Sequence, residues 1–152
     1  MGIFDFFKNF KAPEERQTVQ IYDEICDKAY NPQIKDDDLS LLTQDERIFF
    51  VVYTFNMEVL NGGLCQFFVN SSGAYAPLIS EYLQAVGALS QKQLFDNFIK
   101  TNNINLNDLS AFKISSSEEW GEKLKLYPFD DFDDNFEELD DILEEFAISK
   151  GL

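Results

Sequence analysis

Carboxylates near the end of the sequence are the residues whose type and spacing most clearly indicate a chemical role. Residues 129–146 read FDDFDDNFEELDDILEEF and carry ten acidic side chains. Such a run is compatible with a disordered tail, a cation site, a catalytic cluster or a surface for a basic partner. The ten residues are Asp130, Asp131, Asp133, Asp134, Glu137, Glu138, Asp140, Asp141, Glu144 and Glu145.

The apolar residues in this run recur at helical spacing. Phe129, Phe132, Phe136, Leu139, Leu143 and Phe146 are separated by three or four positions, which predicts an ordered amphipathic helix with its apolar side buried. Asp134 and Glu137 have the spacing of a capping pair. On a straight helix the ten charges would extend over about 24 Å, a density comparable with that of duplex DNA, about one charge per 1.7 Å. Both a solvated face and a binding surface fit this pattern.

Several kinds of chemistry are excluded or disfavoured. The chain has no histidine, which removes histidine-based triads and the commonest metal ligand. Carboxylates on an open helical face stay ionised and lack the separated pKa values that acid–base catalysis requires. No phosphate-binding glycine-rich loop or complete calcium loop occurs. We therefore expect a non-enzymatic protein with no cofactor and no metal.

The overall charge indicates the class of partner. The formal net charge is −16, and residues 111–152 hold thirteen acidic and four basic residues. This charge argues against direct binding to nucleic acid or anionic membranes and favours a basic protein partner. No apolar run approaches the roughly 20 residues needed to span a bilayer. Cys26 and Cys65 make no CxxC pair and fit free thiols in a reducing cytoplasm, the expected location.

A second group of residues, NGGLCQFFVNSSG at 61–73, lies between apolar segments. One interpretation is a tight crossover, in which a glycine takes positive φ while Gln66 and Asn70 bond to freed backbone groups. The alternative is a small polar pocket. The residues concerned are Asn61, Gly62, Gly63, Gln66, Phe67, Asn70 and Gly73.

The elements that must position these residues are predicted to be helices. Helical periodicity runs through nearly every segment and strand alternation is absent, so we expect one all-α domain over residues 1–152 with about seven to nine helices. Residues 1–11 form a short amphipathic segment, and an acidic amphipathic helix ends the chain. Thr43 and Glu46 form a capping box, Ser90 and Ser116 are expected to cap further helices, and Asn61-Gly62-Gly63 ends the apolar helix before it.

The 61–73 pattern also resembles a known family. An apolar helix, then NGG-x-x-Q-F-F-x-N-x-x-G, then Val86-Gly87-Ala88 is similar to a bacterial domain-of-unknown-function family that includes an acidic DNA-mimic protein. The similarity covers roughly residues 40–148. It implies an all-helical domain whose acidic surface occupies the DNA-binding site of a transcription factor or another basic protein.

Three functional hypotheses remain open at the level of sequence. The first is a DNA-mimic or other acidic adaptor that binds a basic DNA-binding protein. The second is an immunity-type or regulatory inhibitor of a basic toxin or enzyme, acting through the same surface. The third is a small-molecule site around Asn61, Gln66 and Asn70. Self-association into a homodimer also stays open.

Overall fold

Most of the residues that the structure describes lie in α-helices. The computed structural model describes the backbone of residues 13–152 and the side chains of residues 18–152. In this part of the chain there are seven α-helices, which confirms the predicted all-α class and falls within the expected number. They are α1 (Pro13–Ala29), α2 (Gln44–Val69), α3 (Ala76–Ala85), α4 (Leu89–Thr101), α5 (Ser117–Lys123), α6 (Phe129–Asp133) and α7 (Asp140–Lys150). The predicted amphipathic segment 1–11 lies outside the described residues.

Short elements connect the helices. Tyr30–Asn31 (β1) and Asp36–Asp37 (β2) pair antiparallel in a small hairpin after α1. Three 3-10 helices occur at Leu39–Leu41, Ser71–Tyr75 and Ser110–Phe112.

The chain divides into two compact units. The described residues up to Phe50 form the terminal unit together with Asp140–Leu152, and Val51–Leu139 form the central unit. The assignment of residues 1–152 to a single domain stays a prediction.

In the terminal unit, α1 packs against α7, and the start of α2 is fixed by a capping box. Thr43 Oγ1 accepts a bond of 3.2 Å from Glu46 N–H, and Glu46 Oε2 accepts one of 3.0 Å from Thr43 N–H. Lys28 donates a hydrogen bond to the same carboxylate, and this bond is the main reason that the pKa of Glu46 is lowered. The capping box read from the sequence is therefore confirmed.

In the central unit, the core is built on aromatic rings. Phe55 from α2 is fully buried and makes edge-to-face contacts with Phe67, Phe95 and Phe136, with ring centroids 5.0, 5.7 and 5.7 Å away. These geometries stabilise aromatic pairs beyond the area they bury. The core thereby joins both halves of α2 to α4 and to the acidic run.

One helix is long and apolar enough, by length and composition, to cross a membrane. Among the described residues only α2 meets this test, whereas the sequence reading found no such run. Its most apolar stretch is 67% buried within the protein. A mostly buried core helix satisfies the same criterion, so length and hydropathy alone do not separate the two.

Two other predicted helix starts have different outcomes. Ser116 Oγ accepts a 3.3 Å bond from Glu119 N–H and caps α5 as predicted. The prediction for Ser90 is wrong, because α4 begins at Leu89 without a side-chain cap. The turn before it is closed by the backbone instead, since Ala88 N–H donates to the Leu83 carbonyl.

Candidate interaction surface and the glycine motif

The acidic run is ordered but is not one helix. It forms α6 (Phe129–Asp133) and α7 (Asp140–Lys150), and residues 134–139 between them are not helical. The predicted continuous helix is therefore wrong, and so is the predicted capping pair, since Asp134 ends α6 rather than beginning a helix. Of the six apolar residues, all are buried except Phe136, which is half-buried. The buried side was predicted correctly although the backbone was not.

The break between α6 and α7 has a physical cause in remote side chains. Glu137 N–H donates to Gln91 Oε1 at 3.3 Å, and Leu139 N–H donates to Asn56 Oδ1 at 2.9 Å. Asn56 and Gln91 are both buried, at 1% and 6% exposure. Buried polar groups require partners, so these amides take backbone groups that a continuous helix would use for itself.

Asp133 is turned toward the protein interior. Its Oδ1 accepts a 2.9 Å hydrogen bond from Leu64 N–H. Burial raises the pKa of Asp133, repulsion from Asp130 and Asp134 adds to the rise, and the bond from Leu64 opposes it. The carboxylate placed on the outward face by sequence reasoning thus caps a helical segment of α2.

The ten acidic residues differ in exposure and are shared between the two units. Three of them, Asp133, Asp140 and Glu144, are half-buried, and seven are exposed. The charge spacing of one straight helix therefore does not describe this run. The exposed residues are Asp130, Asp131, Asp134, Glu137 and Glu138 in the central unit, and Asp141 and Glu145 in the terminal unit.

The glycine motif, residues 61–73, begins with two adjacent glycines that interrupt α2. Gly62 and Gly63 have non-helical backbone angles. Gly63 has a φ of +80°, a conformation that residues other than glycine rarely adopt. A Cβ on Gly63 would lie 2.2 Å from Asp133 Oδ2. The helix resumes at Leu64, and the Asp133 carboxylate satisfies the N–H group that the interruption leaves without an intrahelical partner.

A carboxylate missed by sequence reasoning lies at the centre of the motif. Glu58 accepts hydrogen bonds from Gln66 Nε2 at 2.7 Å, from Asn70 Nδ2 at 2.9 Å and from Ser72 Oγ at 2.9 Å. Gln66 and Asn70 were expected to bond to backbone groups, so that detail is wrong. A Cβ on Gly62 would lie 1.9 Å from Gln66 Oε1, so glycine leaves the room that the Gln66 side chain occupies. The available signal was a single acid in the apolar stretch that follows the first turn of α2.

The last glycine of the motif allows two backbone segments to approach closely. A Cβ on Gly73 would lie 2.8 Å from the carbonyl oxygen of Phe68 and 3.0 Å from that of Phe67. Neither oxygen is at the end of a flexible side chain, so no small movement would relieve the contact. Gly73 therefore fixes how the 3-10 helix Ser71–Tyr75 follows α2.

A cavity of about 410 Å³ opens beside the motif in the central unit. Asn70 and Gly73 line it together with Phe68, Asp108 and Lys113. Asn61, Gln66 and Phe67, which the pocket hypothesis placed together with Asn70, do not line it. Asn61 is exposed and Phe67 is fully buried.

The similarity of the chain to known proteins is found at the level of a protein family. No curated protein and no solved structure is significantly similar to the chain. The family model described as DMP19-like protein matches residues 40–150, which is most of the chain and nearly the range over which the sequence resembled its family. That range contains α2, the glycine motif and the whole acidic run. The chain belongs to the family of DMP19-like proteins.

Proposed function

We propose that this chain is an acidic, non-enzymatic interaction protein that occupies the DNA-binding surface of a basic protein. Membership in the DMP19-like family and the resemblance to an acidic DNA mimic support the type of activity. The formal net charge of −16 supports attraction to basic surfaces and disfavours contact with nucleic acid itself. The partner class is a DNA-binding protein such as a transcription factor.

The observation that carries the proposal is the fixed position of exposed carboxylates in the central unit. Five exposed acids lie within residues 130–138, and in the described part of the chain none of the five makes an ion pair. Residues 130–139, which we call the acidic segment, are held in place by three hydrogen bonds. Asp133 accepts one from Leu64 N–H, and the side-chain amides of Gln91 and Asn56 accept the others from Glu137 N–H and Leu139 N–H. Charges held in place before binding lose less conformational entropy on association than charges on a flexible tail. The five residues are Asp130, Asp131, Asp134, Glu137 and Glu138.

Neutral substitutions of the same shape test this surface. A five-fold amide variant replaces the five residues with Asn or Gln, and it is compared with the wild type in capture of basic proteins from a native lysate. The matched control removes the same number of charges from exposed acids elsewhere. The control substitutions are Asp23→Asn, Glu24→Gln, Asp27→Asn, Glu81→Gln and Glu122→Gln.

The captured protein is then purified and its affinity measured against salt concentration and against its DNA. We expect binding that weakens steeply with salt, competes with DNA, and falls at least tenfold in the five-fold variant but much less in the control. Equal losses in the two variants would mean that net charge alone drives binding. Undiminished binding by the five-fold variant would contradict the proposal.

The inhibitor hypothesis uses the same surface and differs in the partner. If the captured protein is a basic toxin or enzyme, its activity should be inhibited at stoichiometric concentrations of the chain, and DNA should not compete. The DNA-competition experiment therefore separates the two hypotheses.

The cavity favours a second candidate function, binding of a small molecule. Its volume of about 410 Å³ is within the usual range for ligand sites, and its wall combines Phe68 and Pro77 with Asn70, Asp108 and Lys113. A thermal-shift screen of small metabolites tests it, with Ala74→Trp as the variant that fills the opening. A ligand that stabilises the wild type but not the variant would support this function, and no stabilising ligand would count against it.

A further inference from the structure

Two large apolar side chains are exposed side by side on α2. Met57 is 52% exposed and Leu60 is 51% exposed, although most of the helix is buried. Residues three apart on a helix are surface neighbours, so the two side chains form one apolar patch. Asn61, also exposed, extends the same strip. Adjacent exposed apolar residues on a helix are a feature of interaction sites more than of solvated surface.

The acidic segment runs alongside this patch. The Asn56–Leu139 bond and the Leu64–Asp133 bond join α2 to the segment at two points, in antiparallel order. Leu60 lies one helical turn after Asn56 and, across the interruption at Gly62 and Gly63, four residues before Leu64. The stretch of chain between the two anchors, residues 133–139, carries three exposed carboxylates and lies beside this part of α2. They are Asp134, Glu137 and Glu138.

We propose that Met57 and Leu60 form the apolar centre, and Asp134, Glu137 and Glu138 the charged border, of a docking site for a basic amphipathic segment of a partner protein. Such a segment presents an apolar side chain flanked by Lys or Arg. This inference rests on the proposed function and specifies the partner's chemistry. An apolar centre inside a charged rim is the usual arrangement of a protein–protein interface, whereas an array that only imitates phosphates needs no apolar anchor.

Charge argues for a basic partner over a second copy of the chain. In a two-fold symmetric dimer the same patch would face itself, so Glu137 and Glu138 of one copy would lie near the same residues of the other. Each copy also carries a net charge of −16. Like charges across an interface oppose association, and Lys or Arg at the same positions would favour it.

Two synthetic helical peptides of equal length and charge provide the probe. One has Leu at every third or fourth position among Lys residues, which forms an amphipathic helix, and the other has Ala in place of every Leu, which keeps the helix propensity. We expect the wild type to bind the Lys–Leu peptide at least about tenfold more tightly than the Lys–Ala peptide. Fluorescence anisotropy measures both affinities, at low salt and at about 0.5 M salt. The Met57→Gln/Leu60→Gln variant should bind both peptides with similar affinity, because its charges are unchanged.

The control variant is Leu124→Gln/Leu126→Gln, which alters the exposed pair at 40% and 55% exposure elsewhere in the central unit. It should keep the preference for the Lys–Leu peptide, and urea unfolding should give equal midpoints for both variants. A wild type without preference, or a Met57→Gln/Leu60→Gln variant that keeps it, would overturn the inference. Sedimentation gives a further test. If the wild type is a dimer and the Met57→Gln/Leu60→Gln variant is a monomer, the patch binds a second copy of the chain and the inference is overturned.

The docking site and the proposed acidic surface can be disproved separately. If the wild type binds both peptides equally and salt weakens both complexes, the docking site is wrong while the proposed acidic surface stands. If neither peptide binds even at low salt, the proposed function fails with it.

Discussion

The side chain of Asp133 caps the helical segment that begins at Leu64, 69 residues earlier in the chain, through a 2.9 Å hydrogen bond. This hydrogen bond links the acidic run to the glycine motif. Gly63 gives the backbone its left-handed turn and leaves room for the carboxylate. At least one acid of the ten therefore has a structural role in addition to its charge.

Substitutions of Asp133 should separate hydrogen bonding from charge. Asp133→Asn keeps an oxygen acceptor for Leu64 N–H, so we expect an unfolding free energy within about 1 kcal/mol of the wild type at pH 7. Asp133→Ala leaves that N–H without its acceptor and should cost about 1–3 kcal/mol. Urea unfolding measures both. Equal losses in Asn and Ala would show that the charge, not the acceptor, matters.

The pH dependence of the same comparison has a defined sign. Because the pKa of Asp133 is raised in the folded protein, the folded state binds a proton more readily than the unfolded state. The folded protein is therefore less stable with Asp133 ionised than with Asp133 protonated. As pH falls through the folded pKa towards the ordinary value of 3.8, the wild type should gain stability relative to Asp133→Asn. A relative loss over this interval would contradict the assigned burial.

Glu58 should be more sensitive than other acids of the central unit. Three donors converge on its carboxylate, and Glu58→Gln would place an amide N–H₂ among them. We expect a loss of about 1–3 kcal/mol, against a negligible change for Glu81→Gln at an exposed position. A double-mutant cycle with Gln66→Ala should give a non-zero coupling energy, whereas additive effects would show that the bond contributes nothing.

Two glycine substitutions should have opposite effects. Gly73→Ala forces a Cβ against the Phe68 carbonyl and should cost at least about 2 kcal/mol, because the contact involves backbone on both sides. Gly121→Ala meets nothing within 4 Å in α5 and should stabilise by up to about 1 kcal/mol, since alanine favours helix. Thermal unfolding checks both. A neutral Gly73→Ala would show that the turn can shift.

The thiol of Cys65 should be inert in the folded protein. Its side chain is fully buried, and burial raises its pKa to about 11, with a further contribution from Asp133. At pH 8 almost none of it is thiolate, the form that reacts. A thiol reagent should therefore label Cys65 only after addition of denaturant, followed by mass spectrometry of the peptide. Rapid labelling under native conditions would contradict the packing around α2.

Local features were predictable from sequence because they depend on neighbouring residues. The capping box at Thr43 and Glu46 and the buried positions of the acidic run both follow from spacing alone. The break at residues 134–139 did not, because the amides that cause it, Asn56 and Gln91, lie 83 and 46 residues away from their backbone partners. A stripe with heptad spacing is equally compatible with an unbroken helix.

Glu58 was missed for a similar reason. The motif residues Gln66 and Asn70 were identified as polar groups in need of partners, but their shared acceptor lies on the other side of the glycine interruption. Only the bend at Gly62 and Gly63 brings the acceptor and donors together. Sequence patterns give the donors and the bend, whereas the pairing is a property of the folded chain.

The three anchors of the acidic segment also determine when it forms. They bridge 46, 69 and 83 residues, and closing loops of that length costs entropy that is recovered only after the helices have packed. The segment should therefore assemble late in folding, and amide exchange at Leu139 should require extensive unfolding. A partly folded chain would carry the same charges but not their arrangement, so the surface that the proposed function requires exists only once the chain has folded.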